Sequence, residues 1–260
     1  MSDPGVAHIA VSGFAASATL AVVAWGVSLP LRNASIVDSV WSLMVLAPAC
    51  VAIIVVPHAG PRAGVVLGLA ALWALRLAGY IAWRNRGHGE DRRYQAIRAR
   101  NEPHFAWKSL YLVFGLQAVL ASVVSLPLVA AVASDAGWLW LDAVGIAVFA
   151  FGFFFEAVAD AQLARFKSRP ASRGRVMADG LWRYSRHPNY FGEFCVWWGL
   201  WLVAAAAGAW WTVVSPLLMS VLLLKVSGVT LLEQDIGERR PLYSAYAART
   251  NAFFPWKPRA

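Results

Sequence analysis

At 260 residues, with 59% hydrophobic side chains, 14% charged and 14 Trp, the chain is too apolar for an ordinary soluble domain. A net charge of +9 would suggest nucleic acid in a soluble protein, but here the basic residues lie between apolar runs, so membrane topology is expected and no nucleic-acid partner. The two cysteines, Cys50 and Cys195, both fall inside apolar runs, so no disulfide framework and no metal-ligand spacing follows.

Met1–His8 contains no Lys or Arg and therefore lacks the charged start of a signal peptide; it is expected to be retained. A bilayer-spanning helix needs roughly 20 mainly apolar residues. Val6–Leu29 is such a run, ended by Pro30, and Ile36–Val56 is a second, closed by Pro57 and Gly60. Arg62–Arg84 is a third, with Arg76 and Tyr80 inside it, and the polar segment Asn85–His104 follows. Trp107–Ala133, broken by Pro127, and Trp138–Leu163 are the fourth and fifth. The basic loop Ala164–Arg186 precedes a sixth, Pro188–Ala207, and Gly208 turns the chain into a seventh, Ala209–Leu232. The tail, Glu233–Ala260, suits an interfacial helix around Gly237–Arg249.

The expected fold is all-α: a polytopic integral membrane protein with seven transmembrane helices, the N-terminus outside and the C-terminus cytoplasmic. This orientation places Leu31–Ser35, Asn85–His104, Ala164–His187 and the tail inside, and those segments hold nearly every Lys and Arg. One membrane domain over residues 1–260 is expected, in a bacterial inner membrane, with the lipid bilayer as its surroundings.

Charged residues within the spans carry the functional argument, because burying one in hydrocarbon costs about 2.5–3.5 kcal/mol or more and calls for a partner, a water path or a ligand. Asp38 opens the second span, Arg76 and Tyr80 lie one turn apart in the third, and Glu156 and Asp160 share a face of the fifth. Glu193 starts the sixth, and Lys225 and Glu233 close the seventh. All fall in the half assigned to the cytoplasmic side, as a polar cavity opening there would require. Asp38 either caps its helix after Ser35 or faces that cavity. Arg76 is expected to pair with Asp38 or Glu156.

The densest polar stretch is Leu181–Glu193, Leu-Trp-Arg-Tyr-Ser-Arg-His-Pro-Asn-Tyr-Phe-Gly-Glu. Pro188 suits the first turn of a helix, with Ser185 or His187 as its cap. Arg183, Arg186, His187 and Asn189 then gather at a helix N-terminus, where the dipole favours an anion. The alternative is a membrane-entry cap whose basic residues meet headgroups. No zinc-type His/Cys cluster, no Gly-x-Ser-x-Gly elbow, no Walker loop and no Gly-x-Gly-x-x-Gly after a strand occurs, so an ordinary dinucleotide-binding domain is excluded.

With one more residue at its start, Gly180 to Glu193 resembles the C-terminal signature of the steroid 5α-reductase superfamily, and within it a bacterial branch with no assigned function. The likeness extends upstream to Glu156 and Asp160 and downstream through Ser227-Gly-Val, Glu233, Arg240-Pro-Leu-Tyr243, Tyr246, Thr250 and Phe254-Pro255. It is specific over the C-terminal half, about 138–260, and weaker through Leu75-Arg-Leu and Gly89-Glu-Asp-Arg-Arg-Tyr94. It implies seven helices holding NADPH in a cytoplasmic cavity, with Asp160, Tyr184, Asn189 and Glu233 on the cofactor and Lys167 on its phosphates. Glu156, Arg186, His187 and Glu193 complete the expected cofactor set, and Asp38, Arg76 and Tyr80 the expected catalytic set. The implied reaction is hydride transfer to a double bond conjugated to a carbonyl in a lipophilic, steroid-like or isoprenoid-like substrate. The second span, with Asp38 and Trp41, lacks the Gln-Glu pair of the reductases. The related isoprenylcysteine carboxyl methyltransferases share an Arg-His-Pro-x-Tyr and bind S-adenosylmethionine, so a methyltransferase is the alternative, and a non-enzymatic lipid-binding protein a second.

Overall fold

Runs of apolar residues too long and too uniform to present one buried stripe become helices here. The structure, a computed structural model, describes residues 6–56, 59–172, 174–226 and 242–259, and no strand occurs among them. Five helices of the described residues are long and apolar enough to cross a membrane: Ala7–Leu31, Ile36–Val55, Ala63–Asn85, Phe105–Val124 and Trp140–Ser168. The described residues are all-helical, and these five helices are what an integral membrane protein requires by length and composition. Seven spans are expected from sequence, and these five match the first five. The sixth is a 19-residue helix, Pro188–Ala206, in which Pro188, Asn189, Glu193 and the tryptophans dilute the apolar run. The seventh is described only as the shorter apolar helix Trp210–Val226; its continuation to Leu232 lies outside the described residues, as does Gly237–Pro241 of the expected tail helix.

The chain folds as two units, Met1–Leu139 with Ala204–Thr212, and Trp140–Val203 with Val213–Ala260. In the first, α1 (Val6–Leu31) packs along α2 (Ile36–Val55), and α2 along α3 (Ala63–Asn85). The short polar α4 (Arg92–Asn101) follows, then α5 (Phe105–Ser109), a π-turn at Leu110–Gly115, α6 (Leu116–Val124) and α7 (Leu126–Val132). α6 packs on α1 and α2, and α7 on α2 and α3. The break between α6 and α7 falls at Ser125, two residues before Pro127, where proline would have interrupted the ladder in any case.

Pro48, inside α2, removes the N–H that would bond the Met44 carbonyl. Ser17 on α1 makes good the loss: its hydroxyl donates to the Met44 carbonyl oxygen at 2.7 Å. One turn away, a Cβ on Gly13 would lie 3.0 Å from the Pro48 Cβ, so the missing side chain lets the proline ring seat against α1. A defect in one helix is thus met by a matched pair in its neighbour. Ser42 performs the same interhelical service toward α3, donating to the Ala74 carbonyl at 2.9 Å.

Arg62, at the start of α3, has no solvent exposure despite its charge. Its guanidinium donates to the carbonyls of Ala136 at 2.6 Å, Gly137 at 2.7 Å and Ala206 at 3.4 Å, and lies over the Trp138 ring. Main-chain carbonyls that no helix satisfies are thereby paired, and the turns at 136–138 and 206 are tied to α3.

The second unit is built on α8 (Trp140–Ser168) and α9 (Pro188–Ala206), with 3₁₀ turns at Pro170–Ser172 and Gly180–Arg183 between them. α10 (Val214–Val221), a π-turn at Leu222–Val226 and α11 (Tyr243–Arg249) complete its described part. Gly145 and Gly152 on α8 face Gly199 and Gly192 on α9. A Cβ on any of them would come within 2.5–2.7 Å of backbone atoms of the opposite helix. The two backbones therefore touch, which only glycine permits.

Candidate functional site

In the second unit the two carboxylates of α8 lie four residues apart and are both buried, Glu156 at 2% and Asp160 at 5% exposure. Glu156 is held at the glycine contact, since a Cβ on Gly192 would lie 2.5 Å from its N and 2.7 Å from its Cβ. Asp160 accepts from the Asn189 side-chain amide at 3.2 Å. Asn189 occupies the second position of α9, which starts at Pro188 as its fixed φ favours. His187 and Glu193 are buried at 6% and 8%, and the His187 ring stacks on Tyr190 at 5.6 Å with planes 8° apart. The Ser185 hydroxyl accepts from the His187 N–H at 3.1 Å, so both proposed capping residues take part in one turn.

The loop before α9 is fixed from both sides. Gln162 of α8 accepts from the Leu181 N–H at 2.9 Å, and the Trp182 indole donates to the Ala159 carbonyl at 3.0 Å. Gly180, at φ 59°, turns the chain into that contact with no Cβ to strike the Gln162 amide. From the other side comes residues 242–259. The Ser185 hydroxyl donates to the Phe253 carbonyl at 2.7 Å, and the Tyr246 hydroxyl to the Trp182 carbonyl. The Trp256 N–H donates to the Tyr184 carbonyl at 3.0 Å. Arg186, expected on the cofactor, donates its guanidinium to the Ala247 and Thr250 carbonyls at 2.9 and 3.0 Å, and its own N–H to the Asn251 carbonyl. These bonds make it a tether between loop and tail. Tyr184 and Lys167 are exposed, Lys167 in the last turn of α8. Glu233 lies outside the described residues.

In the first unit Asp38 sits in the first turn of α2 and makes no capping bond. Instead it pairs with Arg93 at 2.8 Å and accepts from the Tyr94 hydroxyl at 2.6 Å, both on α4. Of the two partners expected for Arg76, Asp38 or Glu156, the first is engaged by α4, which supplies both a cation and a hydroxyl donor to it. Arg76 and Arg84 lie over the Tyr80 ring at 5.9 and 6.0 Å, one turn on either side of it. Burial and then the neighbouring Asp38 carboxylate push the Tyr94 phenol well above its ordinary value of 10.0, so it donates throughout the physiological range. Trp41, one turn beyond Asp38, has a buried indole N–H with no acceptor among the described residues, and its ring meets Trp73 edge-on at 6.4 Å.

A second clamp joins α4 to the α1–α2 turn. Glu90 accepts from the Ala34 N–H and twice from Arg98, each at 2.8 Å, and the Ser35 hydroxyl accepts from the Asp91 N–H at 2.7 Å. Burial pushes the Glu90 carboxyl up, but the Arg98 hydrogen bonds and the Ala34 N–H outweigh it and leave the group below its ordinary 4.5. A carboxylate with a depressed folded value contributes stability that is fully present above the unfolded value and is lost as pH falls through the folded one. The melting temperature of the wild type should therefore exceed that of Glu90→Gln at neutral pH, and the gap should close only below about pH 4.5. A gap that is unchanged in acid would show that the clamp does not depend on the carboxylate charge.

Reading along the chain gave no role to Gln162, nor to Trp182, Arg93 and Tyr94 within the stretches it quoted, and these position the groups it did single out. Each acts through a bond to a residue distant in the chain or through a main-chain carbonyl, and neither leaves a spacing motif.

The profile of a family described as "Protein of unknown function (DUF1295)" matches residues 24–250. "Uncharacterized protein C594.04c" of Schizosaccharomyces pombe (strain 972 / ATCC 24843) is 29% identical, over 94% of this chain and 79% of its own length. No solved structure matches.

Proposed function

The chain belongs to the family described as Protein of unknown function (DUF1295), and we propose that it is a membrane-embedded, NADPH-dependent reductase of an activated C=C bond in a lipophilic enone. The observation that carries this reading is the Asp160–Asn189 pair at 3.2 Å, a carboxylate on α8 and an amide at the start of α9, the amide within the signature that resembles the steroid 5α-reductases. A carboxylate at 5% exposure calls for a partner, a water path or a ligand, and the Asn189 amide beside it adds a polar group of the kind a nucleotide would meet.

The residues present suit NADPH. Carboxylates at Glu156 and Asp160 and the Asn189 amide match ribose hydroxyls and a carboxamide, and the exposed Lys167 in the last turn of α8 matches a phosphate. His187 and Glu193 would line the same end of α9, and Tyr184 its rim. Arg186 would position the loop through the tail. The cofactor, when bound, supplies a hydride. In the first unit, Tyr80 with Arg76 beside it has the chemistry to donate to a carbonyl oxygen and to favour negative charge on it. Asp38, engaged by Arg93 and Tyr94, would orient rather than react. The unsatisfied Trp41 indole supports a ligand with an acceptor oxygen, because a buried donor without one costs about 1–3 kcal/mol. The distribution of Arg and Lys supports an outside N-terminus, a cytoplasmic C-terminus and a site open to the cytoplasm of a bacterial inner membrane.

Purified protein should melt higher with NADPH, by the mass-action stabilisation of a ligand that binds only the folded state, and be unmoved by S-adenosylmethionine. A shift with S-adenosylmethionine alone would make the protein a methyltransferase. A shift with neither would leave lipid binding without enzymatic activity.

A further inference from the structure

Residues 242–259 contain no Asp or Glu, and their basic side chains Arg249, Lys257 and Arg259 are all exposed. The segment is folded back on itself, with the Arg259 N–H donating to the Arg249 carbonyl at 2.9 Å, so these charges are gathered rather than strung out. Thr250 places them beside the exposed Arg183, whose carbonyl its hydroxyl approaches at 3.5 Å.

Aromatic rings stand beside the charges. Phe253 is buried, whereas Phe254 is 60% and Trp256 73% exposed. Phe254 meets Phe191 and Phe194 nearly edge-on at 5.9 and 6.0 Å, which fixes its level at the first two turns of apolar α9. That level is where hydrocarbon gives way to headgroups for a helix crossing a bilayer, and exposed Trp and Phe rings belong there. A soluble anion would be served by the arginines and lysine alone; it offers nothing to two large exposed rings. A leaflet with anionic headgroups satisfies both features.

We propose that residues 242–259 form a strap that seats on anionic phospholipid, with Arg183, Arg249, Lys257 and Arg259 on the headgroups and Phe254 and Trp256 at the hydrocarbon edge. The strap also holds the loop before α9 through Tyr246, Arg186, Phe253 and Trp256, so lipid that seats the strap also steadies Tyr184–Asn189. The proposal stands whether or not the site binds a nucleotide.

The full chain, reconstituted in nanodiscs of phosphatidylcholine or of phosphatidylcholine with phosphatidylglycerol, provides the test, with hydrogen exchange of the peptide covering residues 250–260 as readout. Exchange should slow about five-fold for each basic side chain engaged when phosphatidylglycerol is present, and molar salt should reverse this. The double variant Lys257→Glu, Arg259→Glu should melt as the wild type in phosphatidylcholine and lose most of the response to phosphatidylglycerol. Equal exchange in the two discs would overturn the proposal, as would a double variant that keeps the full response. Inorganic phosphate added to phosphatidylcholine discs should leave exchange unchanged; equal protection by phosphate would assign the charges to a soluble anion and overturn it too.

Discussion

Gly192→Ala should lower the melting temperature in detergent by about 2–12 °C, and Gly192→Leu should prevent the second unit from folding. The reason is geometric. A Cβ on Gly192 would lie 2.5 Å from the Glu156 backbone N and 2.7 Å from the Gly152 carbonyl oxygen, and the nearest atoms at Gly152, Gly145 and Gly199 include backbone of the facing helix as well. A flexible side chain can swing away from an added methyl; a helix backbone cannot, except by moving the whole helix. Overpacking of this kind costs about 1–3 kcal/mol for the smallest intrusion. Glycines elsewhere supply the control, since a Cβ on Gly68 meets nothing within 4 Å and Gly68→Ala should be neutral or mildly stabilising. Equal melting of Gly192→Ala and Gly68→Ala would refute backbone contact between α8 and α9. The same variant should displace Glu156, because Gly192 abuts its Cβ.

Asn189→Ala should remove the melting shift that NADPH gives the wild type, a shift equivalent to about 2.7 kcal/mol at a hundred times the dissociation constant. The substitution also withdraws the amide that Asp160 accepts from, and a carboxylate at 5% exposure that loses a donor destabilises the fold by itself. The informative quantity is therefore the difference made by ligand in each variant, not the melting temperature alone. Asp160→Asn keeps the shape and abolishes the charge, and should lose the NADPH shift while melting close to the wild type. Gly68→Ala should retain it in full. Were Asn189→Ala to keep the wild-type shift, the pair would be structural and the nucleotide would have to bind elsewhere.

What could be read along the chain was local. Lengths of apolar run set four of the first five long helices to within about five residues. The fourth is set in all but its end, which comes at Val124 with a break at Ser125 instead of running on to Ala133. A helix in hydrocarbon must satisfy its own backbone and needs a fixed length to cross. Pro188 as a helix start and Glu156 with Asp160 on one face follow from φ restriction and from the helical repeat, which no neighbour can alter. The apolar composition likewise sufficed for the membrane class.

Partner choice was not local. Asp38 was open to Arg76 from its sequence, yet α4 delivers Arg93 and Tyr94, more than fifty residues on, at 2.8 and 2.6 Å. Arg186, expected on the cofactor, is bonded to carbonyls some sixty residues away, a contact its place in the sequence does not announce. The need for Ser17 beneath Met44 arises only because Pro48 removes a donor, and only contact between α1 and α2 reveals which serine answers. Composition and periodicity fix which groups a helix carries and on which face. Which of them meet is decided by how closely the backbones approach, and in α8 and α9 that is set by glycines whose absent side chains give no signal until two helices are in contact.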